Sequence, residues 1–129
     1  MKKLILTSIF LFSFQFAFCQ PTYGTSSGAI TYDQAEIKPE YLGGYNEFIK
    51  FFASNYNTPE VEGLSGIAIV TYIIEVNGRV TNIKVTKDLG SGIGEEAIRV
   101  LKMCPIWTPG ELDGKRVRVK MELPITIKN

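Results

Sequence analysis

The chain has 129 residues, of which 14 are basic and 13 acidic, and it contains no histidine. This length suffices for one domain, and the near-neutral charge provides no basic field for nucleic acid or anionic lipid. The absence of histidine excludes a serine–histidine or cysteine–histidine nucleophile pair and the common zinc sites. The sequence therefore predicts no enzyme, no catalytic or metal site, no cofactor and no small-molecule substrate.

Residues 1–19 have the pattern of a secretory signal peptide. A positively charged start precedes an apolar run from Leu4 to Phe18, and Ala17 and Cys19 supply the small residues that predict cleavage before Gln20. The run is short for a permanent transmembrane helix, which needs about 20 apolar residues. A retained inner-membrane anchor is the first alternative, and lipidation at Cys19 is the second.

Cleavage also changes the charge and the cysteine count. With Lys2 and Lys3 removed from the 14 basic residues, 12 remain against 13 acidic ones, which gives a net charge of −1. Cys104 is then the remaining cysteine, so an internal disulfide is excluded. The domain must depend on its hydrophobic core, for which about 90 ordered residues are sufficient.

The first helix is predicted after a short lead. Residues 20–36 are rich in Thr, Ser, Gly and Tyr without a sustained period, which indicates a flexible lead before a domain at residues 37–129. Apolar residues then recur at i, i+3, i+4 and i+7, which predicts an amphipathic helix over 44–54. These residues are Tyr45, Phe48, Ile49 and Phe52.

Two strands follow, joined by a tight turn. Residues 66–76 are almost continuously apolar and β-branched, which favours a strand buried on more than one side. Asn77-Gly78 predicts a type I′ hairpin turn, because both residue types tolerate positive φ. The return strand is expected over residues 79–87, and Gly78 has a structural role in the turn.

A second helix is predicted over residues 94–103, where apolar residues repeat at helical spacing and Pro105 ends the pattern. Cys104 continues the apolar stripe and is interpreted as a small buried residue rather than a reactive thiol. Trp107 is expected in the core, and Asp113-Gly114 forms another turn pair.

The last stretch has the most regular pattern. Every second residue from Val117 to Ile127 is apolar, which predicts one long strand over 116–127 with a buried and a solvated face. Pro124 has no N–H for a ladder, so it favours an edge position. An edge strand leaves one side of its backbone free, and another extended chain can pair there.

These elements predict an α+β fold, a two-layer sandwich of two helices on a three-stranded antiparallel sheet. The hairpin pairs the first two strands, and the second helix lets the third strand lie beside the first. The predicted sheet order is 2-1-3, with residues 116–127 at the edge.

An ordered set of short motifs resembles the C-terminal domain of the TonB energy-transducer family over about residues 37–129. In addition to Gly66 at a strand start, the motifs are Pro39-Glu40-Tyr41-Leu42-Gly43-Gly44, Val76-Asn77-Gly78, Ile83-Lys84-Val85, Glu96-Ala97, Pro105-x-Trp107-x-Pro109-Gly110, Asp113-Gly114-Lys115-x-Val117 and Leu123-Pro124-Ile125.

The resemblance implies a periplasmic binding module, linked to TonB-dependent transmembrane transport, without a catalytic centre. Its partners would be outer-membrane TonB-dependent receptors, whose extended TonB box adds a strand beside the last strand of the domain. The predicted protein-binding residues are Val117, Arg118, Val119, Lys120, Met121, Glu122 and Leu123. The predicted structural residues are Gly78, Trp107, Pro109, Gly110 and Pro124.

Two other functions stay open on the sequence. Free edges of two copies can pair with each other, which would give a homodimer or a self-associating envelope scaffold without energy coupling. An enzyme or inhibitor on the same sandwich is the third reading, and a cleft with convergent polar groups would favour it. Family members that transmit force have a long Pro-rich spacer, and residues 20–36 do not have that composition.

Overall fold

The computed structural model describes residues 28–128. The predicted signal peptide lies outside them. The elements are β1 (Ile30–Thr31), α1 (Tyr45–Asn55), β2 (Ser65–Ile74), β3 (Val80–Lys87), α2 (Ile93–Lys102), β4 (Gly110–Leu112), β5 (Lys115–Val117) and β6 (Val119–Lys128), with a 3-10 turn at Tyr32–Gln34 after β1.

The main sheet has the order β1-β6-β2-β3. Strand β2 is central and pairs antiparallel with β3 on one side and β6 on the other. This confirms the predicted α+β class and the predicted order of the three long strands. The prediction of an all-antiparallel three-stranded sheet is wrong, because the short β1 adds a parallel fourth strand beside β6.

Strand β1 lies inside the predicted flexible lead. It has two residues and therefore no alternation that a sequence could display. Ile37 and Glu40 then form isolated bridges with Glu111 and Thr108, so the chain before α1 is held against β4 and the segment that leads to it.

The predicted continuous strand over residues 116–127 is wrong at its start. Lys115–Val117 belongs to a hairpin with Gly110–Leu112, and β6 begins only at Val119. Asp113 and Gly114 have φ values of 53° and 73°, as a type I′ turn requires, so the chain returns against β4. Apolar residues alternate on both sides of Arg118 without a break. For this reason the sequence does not reveal that the chain pairs with β4 before Arg118 and with β2 after it.

The turn between β2 and β3 also differs from the prediction. Gly78 has a φ of 82°, whereas Asn77 is not among the residues with positive φ. The Gly78 N–H donates to Glu75 O at 2.8 Å, and the Glu75 N–H donates to Arg79 O at 2.9 Å. A type I turn followed by one left-handed glycine produces this pattern, so the predicted type I′ turn is wrong.

Both helices pack on one face of the sheet and bury the core. Helix α1 contributes Phe48 and Phe52, and α2 contributes four buried apolar residues that face β2. On β2 and β6, alternate residues point toward the helices. The buried residues of these strands include Ala68, Val70, Tyr72, Ile74, Leu123, Ile125 and Ile127.

Candidate peptide-docking edge

Strand β6 is paired along its whole length on one side and only at its start on the other. Strand β2 pairs with it from Val119 to Lys128. On the opposite side β1 pairs with Val119 and Lys120, and the Ile30 N–H donates to Arg118 O at 2.9 Å. Within residues 28–128, no strand pairs with this side from residue 121 onward. We call residues 121–128 of β6 the open edge.

The backbone groups of alternate β6 residues point toward the open edge. In an antiparallel pair, successive residues direct their N–H and C=O groups to opposite sides. Arg118 O faces β1, so the even-numbered residues that follow face the same way. The open edge therefore presents the N–H groups of Glu122, Thr126 and Lys128. Pro124 provides a carbonyl but no N–H, and its place at the edge agrees with the sequence prediction.

The seven predicted binding residues fall in different surroundings. Val117 pairs with Gly110 in the β4–β5 hairpin, and Val119 and Lys120 already pair with β1. Only Met121, Glu122 and Leu123 of the seven lie on the open edge. Residues 124–127 belong to the predicted edge strand but not to the seven predicted binding residues, and together with Lys128 they extend the open edge. The unbroken alternation to Ile127 was the available signal for them.

Arg118 is tied to the fold rather than presented at the edge. Its Nε donates to Glu75 Oε2 at 2.7 Å and its Nη2 donates to Glu75 Oε1 at 2.9 Å. The Thr81 hydroxyl donates to the same Glu75 Oε1 at 2.6 Å. These hydrogen bonds, the one from Arg118 above all, hold the pKa of Glu75 below its ordinary value. The ion pair therefore fixes the start of β6 against the end of β2.

Glu75→Gln is expected to lower the free energy of unfolding by about 1–3 kcal/mol at pH 7, because Arg118 loses its charged partner while half-buried. A lowered pKa means that the carboxylate stabilises the fold above the unfolded pKa of about 4.3. This contribution is lost as the pH falls through the folded pKa. Urea denaturation at pH 7 and pH 3 measures both effects. The exposed Glu62→Gln is the control, and equal destabilisation by both variants would contradict the assignment.

Four of the five predicted structural residues, Gly78, Trp107, Pro109 and Gly110, lie away from the open edge, whereas Pro124 is exposed on it. Trp107 is buried against Tyr41 and Phe48, with ring centroids 5.5 and 4.8 Å away. Pro109 and Gly110 are buried. A Cβ at Gly110 would lie 2.7 Å from Val119 Cγ2 and 3.1 Å from Ile37 O, so a larger residue there would force these neighbours to shift.

Cys104 was predicted to be a small buried residue, and the structure shows it partly buried. It packs against the core, and Trp107 Nε1 donates to its Sγ at 3.1 Å. Burial raises the pKa of the Cys104 thiol, which keeps it protonated and weakly nucleophilic at neutral pH.

A groove of about 590 Å³ lies beside the start of the open edge. Tyr41, Tyr45 and Trp107 line one part of it, and Met121 and Glu122 of β6 line the other. Met121 is on the helix-facing side of the sheet, where it packs partly against the core. This groove could not be predicted from the sequence, because its walls come from segments up to 90 residues apart.

Two features were not found in the described part of the chain. It contains no group of three or more His, Cys, Asp or Glu side chains placed to hold a metal ion. Neither α1 nor α2 has the length and apolarity that a membrane crossing requires.

Residues 28–128 thus define a small two-layer α+β domain with a partly unpaired terminal strand. The chain belongs to the family of Gram-negative bacterial TonB protein C-terminal domains, whose model matches residues 60–128, more than half of the chain. This confirms the resemblance, and domains of this family are interaction modules. Among solved structures, the "NMR solution structure of Helicobacter pylori TonB-CTD (residues 179-285)" is similar, with 21% identity and a TM-score of 0.42, over 67% of this chain and 87% of that one. A comparison with curated proteins finds no match.

Proposed function

We propose that the protein is a periplasmic module that docks extended segments of outer-membrane receptors, the TonB boxes, by strand addition at the open edge of β6. The observation that supports this most directly is the unpaired side of residues 121–128 in β6, a strand whose other side pairs with β2 along its whole length. Family membership supports the envelope location and a receptor as the partner. Coupling to transmembrane transport is part of the same proposal.

The backbone groups of the edge suit an interaction of weak to moderate affinity. A visiting strand would form about 4–6 backbone hydrogen bonds, each worth a net ~0.5–1.5 kcal/mol. The cost of association then offsets much of this gain. Glu122 and Lys128 stand on the exposed face of β6 and can add selectivity through charge. Such an affinity fits a contact that must form and release repeatedly.

Thr126→Pro is expected to weaken binding of a TonB-box peptide by about threefold to tenfold, because it removes one outward N–H and its hydrogen bond. The fold should persist, since proline is tolerated on an unpaired side of an edge strand. The measurement is an NMR titration of the labelled protein, with amide shifts expected at Glu122, Thr126 and Lys128 of the wild type.

Thr126→Val is the matched control for this experiment, because valine keeps the N–H and the β-branched shape. We expect it to bind as the wild type does. If peptide addition leaves the amides of residues 121–128 unmoved while others shift, docking at this edge is ruled out.

Self-association is the second candidate, and the charges of the edge favour it specifically. Two antiparallel copies can pair so that Glu122 faces Lys128 of the other copy twice, with Pro124 facing Thr126. Light scattering over a range of concentrations distinguishes the two candidates. A dimer that dissociates on addition of peptide would indicate that both use the same edge.

A further inference from the structure

The groove beside the open edge has aromatic walls that are partly exposed. Tyr45 is 66% exposed although it begins an amphipathic helix, while Trp107, at the back of the groove, is 4% exposed. Tyr41 contacts Trp107 edge-to-face, with an interplanar angle of 76°. Faces and edges of aromatic rings are thus available to a side chain that enters from the side of β6.

The groove lies where an added strand would place a side chain. Met121 points to the helix-facing side, and the backbone of Glu122 belongs to the open edge. Successive side chains of a strand alternate between the two faces of the sheet. A segment that pairs beyond Lys120 therefore directs every second side chain toward the helices, and one of these enters the groove next to Met121.

The charges around the groove favour a cationic guest. The Lys38 ammonium donates to the carbonyl oxygens of Tyr32 at 2.6 Å and Ala35 at 2.8 Å, and it lies 4.9 Å from the Tyr32 ring. These contacts hold the ammonium toward Tyr32 but leave its charge in place, so the lining carries one cation against the two carboxylates of Glu40 and Glu122. Glu40 lines the groove near Tyr45 and forms no ion pair within residues 28–128. An unpaired carboxylate next to aromatic rings is complementary to a cation with an apolar stem.

From this geometry we infer that the segment docked on β6 places an arginine in the groove, with its stem along Tyr45 and its guanidinium at Glu40. This inference rests on the proposed function and adds a sequence requirement for the partner. Arginine is favoured over lysine, because a planar guanidinium stacks on aromatic rings and binds a carboxylate with two hydrogen bonds. An acidic side chain would be repelled, and a purely aliphatic one would leave Glu40 unpaired.

The test uses extended peptides of alternating valine and threonine, in which one helix-facing position is arginine, glutamine, leucine or glutamate. Each is titrated into the labelled full-length protein, and the arginine is moved along the peptide to find the register. The arginine peptide should bind about threefold to tenfold more tightly than the glutamine peptide. This preference should shrink at high salt, because exposed charges are screened.

Glu40→Gln should abolish the preference for arginine and leave binding of the leucine peptide unchanged. Glu62→Gln is the control, because Glu62 is exposed and does not line the groove. Equal effects of both variants, equal affinity for all peptides, or tighter binding of the leucine or glutamate peptide would overturn the arginine site while strand addition stands. Absence of shifts in residues 121–128 with every peptide would instead remove the proposed docking function itself.

Discussion

Trp107→Ala is expected to lower the free energy of unfolding by about 3–5 kcal/mol, a large share of the margin of a small domain. The indole is 4% exposed and joins the chain before α1, the helix and the sheet. Its ring centroid lies 5.5 Å from Tyr41, 4.8 Å from Phe48 and 6.2 Å from Tyr72. Alanine would leave a cavity among these rings, and the Cys104 thiol would lose the indole N–H.

The measurement is urea denaturation followed by far-ultraviolet circular dichroism, because Trp107 is the single tryptophan and its fluorescence disappears with the substitution. Ile106→Ala is the matched control, since Ile106 is the adjacent residue and is 60% exposed. We expect the control to cost less than about 1 kcal/mol. A loss of unfolding free energy in Trp107→Ala no larger than that in Ile106→Ala would refute its central place in the core.

Local patterns in the sequence were sufficient to predict the long elements and their order. The stripe of Phe48 and Phe52 predicted the buried side of α1, and the alternation to Ile127 predicted the buried side of β6. Pro124 indicated an edge strand because proline has no N–H to donate, and a residue between two paired strands would need one. Each of these patterns lies within a single helix or strand, so it can be read from neighbouring residues in the sequence.

The features that were missed depend on contacts between distant segments. Strand β1 exists because Ile30 reaches Arg118, 88 positions later, and two residues carry no periodicity. The change of partner at Arg118 depends on the type I′ turn before it, which the alternation does not register. These two contacts move the open edge toward the C-terminal end of β6, to residues 121–128.

The groove and the ion pair of Arg118 also depend on contacts between distant segments. Tyr41, Tyr45, Trp107 and Met121 converge only when α1 lies over the sheet. A surface arginine on an alternating strand is normally solvated, and only the fold shows that Arg118 pairs with Glu75. The sequence therefore predicted the type of surface, a strand with one unpaired side. The side chains that would give this surface selectivity could be identified only from the structure.

Gly78→Ala is expected to lower the free energy of unfolding by about 2–5 kcal/mol, because two costs combine at this residue. Its φ of 82° is strained for alanine, and an added Cβ would lie 2.0 Å from the backbone oxygen of Trp107. The Gly78 carbonyl also accepts a hydrogen bond from the Trp107 N–H at 2.8 Å. The turn and the tryptophan segment therefore cannot separate without loss of that bond.

Gly114→Ala isolates the contribution of backbone strain. Gly114 has a similar φ of 73°, but nothing lies within 4 Å of an added Cβ. Its expected cost is about 1–2 kcal/mol, from strain alone. Urea denaturation of both variants gives the difference, which measures the close approach of the β2–β3 turn to Trp107. Equal destabilisation by the two variants would mean that the β2–β3 turn can move away from Trp107 at no measurable free-energy cost. Gly78 would then be required for its positive φ and not for its close contact with Trp107.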